Sequence, residues 1–259
     1  LWTAIGTSSA PFKGTFDGNG HVVSGLYINS KSSYQGLFGY INGGTVQNVT
    51  VQGSVTSAGG NIAGVVGYNN KGTIKNCSSA VEVSCTGGSF VHYYGGIAAY
   101  SSGTVTGCVN SGSITATGGA ACGGIVGCNF GGSVTDCYNK GTVENPGSHV
   151  GGIVGQERNG ASTANCYNIG SVTGKTNVGA VVGQEQGGAA ACQNSYYLAG
   201  SASFGIGSLS NADGVMSEEA MKAQELADKL GDAFMSDNDG INDGYPVLVW
   251  ETSVSTDKP

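Results

Sequence analysis

The stretch CGGIVGCNFGGSVTDCYNKGTV, from Cys122 to Val143, joins a glycine-flanked apolar pair to a second apolar segment that ends in Cys-Tyr-Asn. The first of these elements recurs along the chain, with starts separated by 28, 32, 28, 28 and 28 residues. The starts are Gly36, Gly64, Gly96, Gly124, Gly152 and Ala180. A fixed period of this size is the sequence signature of a repeat architecture, so the period predicts the fold.

Each repeat holds three short segments rich in β-branched residues and divided by Gly, Asn and Ser, which is typical of strands and turns. Such a unit cannot bury its apolar side alone, but it can when successive units stack. The sequence therefore predicts an all-β fold, a parallel β-solenoid or β-helix of about six three-strand coils. Equivalent positions of neighbouring coils then lie about 4.8 Å apart.

Composition limits the function classes that remain. The 259 residues carry a formal net charge of -7 with only 10 Lys and Arg, so we expect no nucleic-acid partner. No apolar run is long enough to span a bilayer, which predicts no membrane insertion. The chain begins at Leu1 without a methionine or a secretory leader, and we interpret it as part of a larger, exported polypeptide.

The pattern divides the chain into three regions. Residues 1–30 form a lead-in or N-terminal cap, residues 31–200 hold the repeats, and residues 201–259 change to a helical cap with a closing strand. The segment Met216 to Phe234 predicts one helix with Ser217 as its N-cap. We expect this helix and the closing GYPVLVW strand to pack across the last coil, since an open solenoid end would recruit other chains.

The blocks GGIVG and GSVTDCYNKGTV resemble the GLUG-motif repeats of bacterial, often gut-associated, surface proteins and of regions upstream of immunoglobulin A metallopeptidases. The opening from Trp2 to Ile28 and the close from Asp239 to Trp250 resemble the usual ends of such arrays. The resemblance implies a β-solenoid that is secreted or anchored at the cell surface and is adhesin-like. The sequence contains no H-E-x-x-H, the zinc signature of a metallopeptidase.

Four cysteines occupy one position in successive second elements, with Val49 before them and Ser195 after. Alternation of Val, Cys and Ser indicates a small interior filler, and a free cysteine behaves in this way. Disulfides between stacked cysteines stay open, and zinc is disfavoured because no paired C-x-x-C or suitable His accompanies Cys122 and Cys128. The predicted structural cysteine ladder is Cys77, Cys108, Cys137 and Cys166.

One position of the second element is almost always Asn or Asp, which tolerate left-handed turns. We predict left-handed backbone there. The residues are Asn48, Asn76, Gly107, Asp136, Asn165 and Asn194.

Two columns of tyrosines are candidate ligand-binding residues. The first follows the cysteine ladder by one residue and should point outward if the ladder points inward; the second follows the glycine-flanked pairs. Exposed aromatic columns can stack on sugar rings or anchor a protein, and they can also stack on one another and merely stabilise the sheet. The columns are Tyr138, Tyr167 and Tyr196, and Tyr40, Tyr68 and Tyr100.

An enzyme remains an alternative, because β-solenoids can carry polysaccharide hydrolase or lyase sites. Glu157 and Glu185 share a repeat position one coil apart, with Arg158 beside the first, and about 5 Å between carboxylates suits a retaining pair. A solvated corner explains the same residues without chemistry. Asp17 and His21 could form an acid-base pair, but the DGNG between them first predicts a tight turn.

The segment DNDGINDG, Asp237 to Gly244, suggests calcium by composition. Its spacing fails an EF-hand loop, because Ile241 and Leu248 stand where oxygen ligands should. A calcium-stabilised turn between Asp237 and Asp243 and a solvated closing turn both stay open. We assign no cofactor, no metal site and no catalytic residue.

The sequence therefore predicts a non-catalytic extracellular surface module. It would bind a host or dietary glycan or a protein, or project a neighbouring domain. The alternative is a carbohydrate-active enzyme that uses Glu157 and Glu185.

Overall fold

The computed structural model describes residues 1–87, 92–118, 121–186, 192–207 and 214–253. The chain is a parallel β-solenoid of about six turns with a short C-terminal segment of helix and strand, which confirms the predicted fold class. Three parallel sheets run the length of the solenoid, and each coil contributes to all three. Successive second elements pair in register 28 to 31 residues apart, so sequence repeats become columns in space.

The strands are short. The first half of the chain contains β1 (Thr15–Asp17), β2 (Val22–Ser30), β3 (Phe38–Asn42), β4 (Thr45–Gln47), β5 (Thr50–Ser57), β6 (Ile62–Ala63), β7 (Val66–Asn70), β8 (Thr73–Lys75), β9 (Ser78–Cys85), β10 (Tyr93–Gly95), β11 (Ala98–Ser101), β12 (Thr104–Thr106), β13 (Val109–Asn110), β14 (Ile114–Ala116) and β15 (Ala121–Gly123). The second half contains β16 (Val126–Phe130), β17 (Ser133–Thr135), β18 (Tyr138–Asn139), β19 (Val143–Gly151), β20 (Val154–Arg158), β21 (Ser162–Ala164), β22 (Tyr167–Asn168), β23 (Val172–Gly179), β24 (Val182–Gln186), β25 (Cys192–Gln193), β26 (Tyr196–Leu198), β27 (Val215–Met216), α1 (Glu218–Lys222), α2 (Gln224–Leu230), β28 (Phe234–Met235), β29 (Val247–Leu248) and α3 (Val249–Ser253).

The core fills the inside of the coils with stacked side chains. One column pairs a single residue from each coil through the seven-stranded sheet β1-β4-β8-β12-β17-β21-β25. Its members change from aromatic to aliphatic, then to hydroxyl and thiol along the axis: Phe16, Val46, Ile74, Val105, Val134, Thr163 and Cys192. Each buried aliphatic rung removes apolar surface from water, which is the main stabilising term for such a fold.

The predicted left-handed turns are confirmed. The six residues have φ between 44° and 61°, and in five of them the side-chain amide or carboxylate also hydrogen-bonds its counterpart in a neighbouring coil. The hydrogen-bonded pairs are Asn76 with Asn48, Asn165 with Asp136, and Asn194 with Asn165. Asn and Asp suit this position because their short polar side chains tolerate positive φ.

The lead-in is itself a rung of the solenoid. β1 pairs with β4, β2 pairs with β5, and Ile5 and Phe12 form parallel bridges to β3. Residues 1–30 therefore extend all three sheets by one coil.

The C-terminal helix differs from the prediction. Ser217 is the N-cap, and its hydroxyl accepts a hydrogen bond from the Ala220 amide, but the helix breaks at Ala223, whose backbone is extended. Met221 and Leu226, five residues apart, are both fully buried. They would point about 140° apart in one continuous helix, so the break lets both reach the same core.

The closing strand is also shorter than predicted. Only Val247 and Leu248 form β29, antiparallel to β28, and the chain then turns into α3. The Glu251 carboxylate accepts a hydrogen bond from the Leu248 amide at 2.9 Å and so satisfies a backbone donor at the start of α3.

The cap lies along the side of the solenoid, and the expectation that it packs across the last coil is wrong. The Trp250 indole donates to the Gly107 carbonyl at 2.9 Å, and the Asn194 amide donates to the Lys229 carbonyl at 2.6 Å. These two contacts reach rungs 87 residues apart in sequence. The last coil is instead covered by its own continuation, where Val181 donates to the Gly205 carbonyl and Tyr197 to the Gly214 carbonyl.

Candidate functional site

Six aromatic side chains form a continuous strip on the side of the solenoid built by β3, β7, β11 and β16. Tyr40, Tyr68 and Tyr100 pair in register, and their rings stack with centroids 4.6 and 4.3 Å apart and planes within 12°. Phe130 extends the stack at 6.1 Å from Tyr100. Tyr34 meets the Tyr40 and Tyr68 rings edge-on at 5.6 Å, and Tyr93 lies 6.0 Å from Tyr100. We name this set the aromatic strip.

The stacking leaves ring edges and hydroxyls, rather than ring faces, for contact with solvent. Tyr68 has a ring on each side, and Tyr40, Tyr68 and Tyr100 are all partly exposed. Burial raises the pKa of all three phenols, and the neighbouring phenols add to the shift for Tyr40 and Tyr100. These three phenols are therefore neutral at physiological pH, and the strip can engage a ligand through hydroxyl groups and ring edges.

The other tyrosine column is buried under the cap. Tyr138 and Tyr167 do point out of the coil and stack at 4.8 Å, but they are only 1% and 0% exposed. The Tyr138 hydroxyl donates to the Glu251 carboxylate, and the Tyr167 hydroxyl donates to the Pro246 carbonyl. The expectation that these two tyrosines form an exposed column is wrong, because cap residues that no repeat spacing reveals cover them.

Tyr196, the third member of that column, lies at its edge. It is partly buried against the cap cluster, and its hydroxyl donates to Asn194 Oδ1 at 2.7 Å.

The cysteine ladder lies inside the coils. Cys77, Cys108, Cys137 and Cys166 are 0% exposed, and the amide of each following residue donates to the carbonyl of the ladder residue one coil back. The Cys108 amide also donates to the Cys137 sulfur at 3.4 Å. All eight cysteines of the chain are free thiols.

This burial predicts that thiol reagents modify the ladder cysteines slowly. Burial raises the pKa of the Cys77 and Cys137 thiols, and the thiolate is the reactive form. We expect N-ethylmaleimide to leave the four ladder cysteines unmodified in the native protein and to modify all eight cysteines in guanidinium without reductant. Peptide mass spectrometry reads each site, with partly buried Cys192 as the internal comparison. Ladder cysteines that stay unmodified in denaturant would show disulfides instead.

An asparagine ladder, which the sequence analysis missed, runs parallel to the cysteines. Asn110, Asn139 and Asn168 are 0% exposed, and each Nδ2 of the first two donates to the Oδ1 of the next at 2.8 Å. Each amide also bonds the backbone N–H and C=O of the glycine two residues later, as Asn139 does with Gly141. The sequence pattern that could have predicted this ladder is the Asn at the end of each Cys-x-Asn in the repeat.

This ladder explains one glycine of each repeat. A Cβ added at Gly124 would lie 2.4 Å from the Asn139 Cγ, and the same close approach joins Gly96 to Asn110 and Gly152 to Asn168. Real Cβ atoms do not approach other heavy atoms so closely, so the backbone can lie flat against the amide only where the side chain is absent.

Glu157 is buried, not solvated. It is 1% exposed, it pairs in register with Glu185, and its Oε1 accepts a hydrogen bond from Thr163. Burial, with a smaller contribution from Glu185, raises the pKa of Glu157 to about 8. The solvated-corner interpretation is therefore wrong for Glu157, and the carboxyl is protonated near neutral pH.

The remaining sequence candidates are engaged in structural contacts. Arg158 interacts with the Tyr93 hydroxyl. Asp17 accepts hydrogen bonds from the Asn19 amide and from the Gln47 and Asn48 side chains, and His21 closes the turn through its amide to the Gly18 carbonyl.

The closing DNDGINDG loop is organised by one carboxylate. Asp237 accepts three backbone hydrogen bonds, from Ile241, Asn242 and Gly244, at 2.8 to 2.9 Å. In the part of the chain that the structure describes, no group of three His, Cys, Asp or Glu side chains could hold a metal ion. Among the same residues, no helix has the length and hydrophobicity to cross a bilayer.

The repeat that opened the sequence analysis matches a known family model. Residues 118–144 match the model described as the GLUG motif. The chain contains a GLUG motif. This GLUG motif includes Gly124, Cys137 and Asn139, so its residues build the coil interior, whereas Tyr40, Tyr68 and Tyr100 of the aromatic strip lie outside it.

The fold that surrounds the GLUG motif has a solved counterpart. A crystal structure at 1.30 Å of a protein from Bacteroides ovatus, described as a candidate immunoglobulin A1 protease, superposes with a TM-score of 0.65. The two sequences are 23% identical over 96% of this chain and 81% of the other. No curated protein matches the sequence.

Proposed function

We propose that the chain is a non-catalytic, adhesin-like extracellular surface module that binds a glycan or a protein through the aromatic strip. The observation that carries this proposal is the contrast between the two tyrosine columns. The chain buries Tyr138 and Tyr167 of one column under its own cap and leaves the other column partly exposed. Contiguous aromatic surface on a soluble protein marks interaction sites, and tyrosine hydroxyls allow polar recognition as well.

The GLUG motif and the solenoid support the module assignment. A stack of coils with its turns locked by hydrogen-bonded Asn residues presents the strip on rigid strands rather than on loops. Rigid presentation lowers the entropy that binding must overcome. The same rod could also project a neighbouring domain, and binding and projection are compatible.

The enzyme alternative has weaker support. A retaining carboxylate pair needs one ionised nucleophile and access to substrate. Glu157 is buried with its pKa raised to about 8, and Arg158 contacts the aromatic strip. No observation favours these residues as a catalytic pair.

The test uses hydroxyl removal, because the rings already occupy one another's faces. In the triple variant Tyr40→Phe, Tyr68→Phe and Tyr100→Phe, stacking is retained and the hydroxyls are lost. We expect the wild-type chain to bind targets on an oligosaccharide array or on a panel of immobilised glycoproteins and host surface proteins. The triple variant should bind those targets at least tenfold more weakly.

The matched control is Tyr27→Phe, which removes a hydroxyl from a tyrosine that is 51% exposed on β2, outside the strip. It should bind like the wild type. Equal binding by the triple variant, or no wild-type binding on either surface, contradicts the proposed function. Thermal melting confirms that all three proteins are folded.

A further inference from the structure

A cleft of 530 Å³ opens at the lead-in end of the solenoid, next to the aromatic strip. It lies between the first residues of the chain and the segment that follows β2. Tyr34 belongs both to the strip and to the lining of this cleft. The volume falls within the range of about 300 to 1,000 Å³ that small-molecule sites occupy.

Trp2 provides an aromatic wall that is fixed in place. Its backbone amide donates to the Tyr27 carbonyl at 2.8 Å, and its indole Nε1 donates to the Leu37 carbonyl at 3.1 Å. The side chain is still 39% exposed. A ring that is held by two hydrogen bonds and remains accessible is a preorganised platform for a ligand.

Tyr34 provides the second aromatic group, in a strained conformation. Its φ is 61°, in the left-handed region that bulky residues rarely adopt. Edge contacts with the Tyr40 and Tyr68 rings at 5.6 Å hold its ring. Backbone strain of this kind concentrates at functional sites, where the surrounding structure enforces it.

The rest of the lining is mostly polar, and none of its side chains is charged. Six Ser and Thr residues, Asn29 and Gln35 line it together with Leu1, Ala4, Gly6 and Ile28, and no Asp, Glu, Lys, Arg or His side chain lines the cleft. Hydroxyl and amide groups donate and accept hydrogen bonds, as the hydroxyls of a sugar require. A charged ligand would find no side chain of opposite charge in the lining, and its desolvation would go uncompensated there.

We propose that this cleft binds a neutral saccharide, with a sugar ring against Trp2 and its hydroxyls against the polar wall and Tyr34. The proposal rests on the proposed function, because it takes the partner of the surface module to be a glycan. It adds the ligand class and places the strongest contact at the end of the aromatic strip.

A second cleft at the opposite end of the solenoid supplies the control. It measures 590 Å³ and is also rich in Ser and Thr, but it contains Lys175 and has Phe204 as its aromatic residue. Phe204 is 37% exposed, close to the exposure of Trp2. Phe204→Ala therefore removes a comparable exposed ring from a comparable cleft.

The experiment first applies the wild-type chain to a printed array of neutral and acidic oligosaccharides. It then measures the Kd for the best neutral oligosaccharide by calorimetry. We expect binding to neutral structures, at least a tenfold rise in Kd for Trp2→Ala, and an intermediate Kd for Trp2→Phe. Phe204→Ala should stay within twofold of the wild type, and circular dichroism and thermal melting check each fold.

Three results would contradict the proposal that the cleft binds a neutral saccharide. They are an unchanged Kd in Trp2→Ala, preferential binding of acidic oligosaccharides, and binding only to proteins that persists after enzymatic deglycosylation. The last of these results leaves the proposed function standing. Glycan binding that the Tyr→Phe triple variant weakens and Trp2→Ala does not change also leaves it standing. The two proposals therefore fail separately.

Discussion

Replacing Asn139 with leucine is expected to lower the free energy of unfolding by about 4 kcal/mol, since each buried polar group left without a partner costs about 1 to 3 kcal/mol. The Asn139 amide makes four hydrogen bonds, two to Gly141 and one each to Asn110 and Asn168, and it is fully buried. Leucine satisfies none of those partners. Its branched end would also press on Gly124, which already lies against the amide.

Urea unfolding followed by circular dichroism measures this loss. Asn29→Leu is the control, because Asn29 lies on β2 with its side chain exposed, and surface changes usually stay within about 0.5 kcal/mol. A loss below about 1 kcal/mol in Asn139→Leu would mean that the ladder contributes no more than one ordinary hydrogen bond.

The second large effect is a fall in stability with rising pH that comes from Glu157. Its pKa is raised from 4.5 to about 8 in the folded chain, mainly by burial. Between these values the folded state binds the proton and the unfolded state does not. Stability from this group is therefore full below pH 4.5, falls as the pH rises toward 8, and is lost above it.

The size of the effect follows from the shift of about 3.5 units, which corresponds to an upper value of about 5 kcal/mol at 1.36 kcal/mol per unit. Glu157→Gln keeps the size of the side chain and cannot ionise. We expect the variant to match the wild type near pH 5 and to be more stable at pH 8.5. The comparison of urea unfolding at each pH isolates this group, since every other titrating residue is shared.

Glu185→Gln is the matched control one coil away. Because burial and not Glu185 is the main cause of the shift, this variant should keep most of the pH dependence. A Glu157→Gln variant whose stability follows the wild-type pH profile would contradict a protonated, buried Glu157.

The fold was predictable from the sequence because, in a solenoid, residues one period apart in the sequence lie next to each other in neighbouring coils. A period of 28 residues, interrupted once by 32, places equivalent residues one above another. The left-handed turns followed from residue type alone, since few residues other than Gly, Asn and Asp accept positive φ. The period also predicted the register of the Tyr40, Tyr68 and Tyr100 column.

The cap could not be placed in this way. Tyr138 and Glu251 are hydrogen-bonded across 113 residues, and nothing in the repeat indicates which side of which coil the last segment covers. The outward direction of this tyrosine column was therefore predicted correctly, and its exposure to solvent was predicted wrongly. Glu157 was misjudged for a different reason, because it was assigned to a corner although it lies inside β20, in register with the buried Asn129, where alternation turns the side chain inward.

The spacing of the repeats could not predict the cleft either. Trp2 and Tyr34 lie in the lead-in and in the loop after it, where no period aligns them. Their meeting depends on β2 and β5 pairing and on Trp2 reaching the Tyr27 and Leu37 carbonyls.

The side placement of the cap has a consequence for biosynthesis. The cap hydrogen-bonds the solenoid between Gly107 and Asn194, so the coils before Gly107 can assemble as they leave the ribosome. Those from Gly107 to Asn194 keep an uncovered aromatic flank until Trp250 and Glu251 have been translated. The C-terminal half thus completes its folding only after synthesis of the final residues of the cap, and chaperone occupancy should concentrate on that flank in the interval.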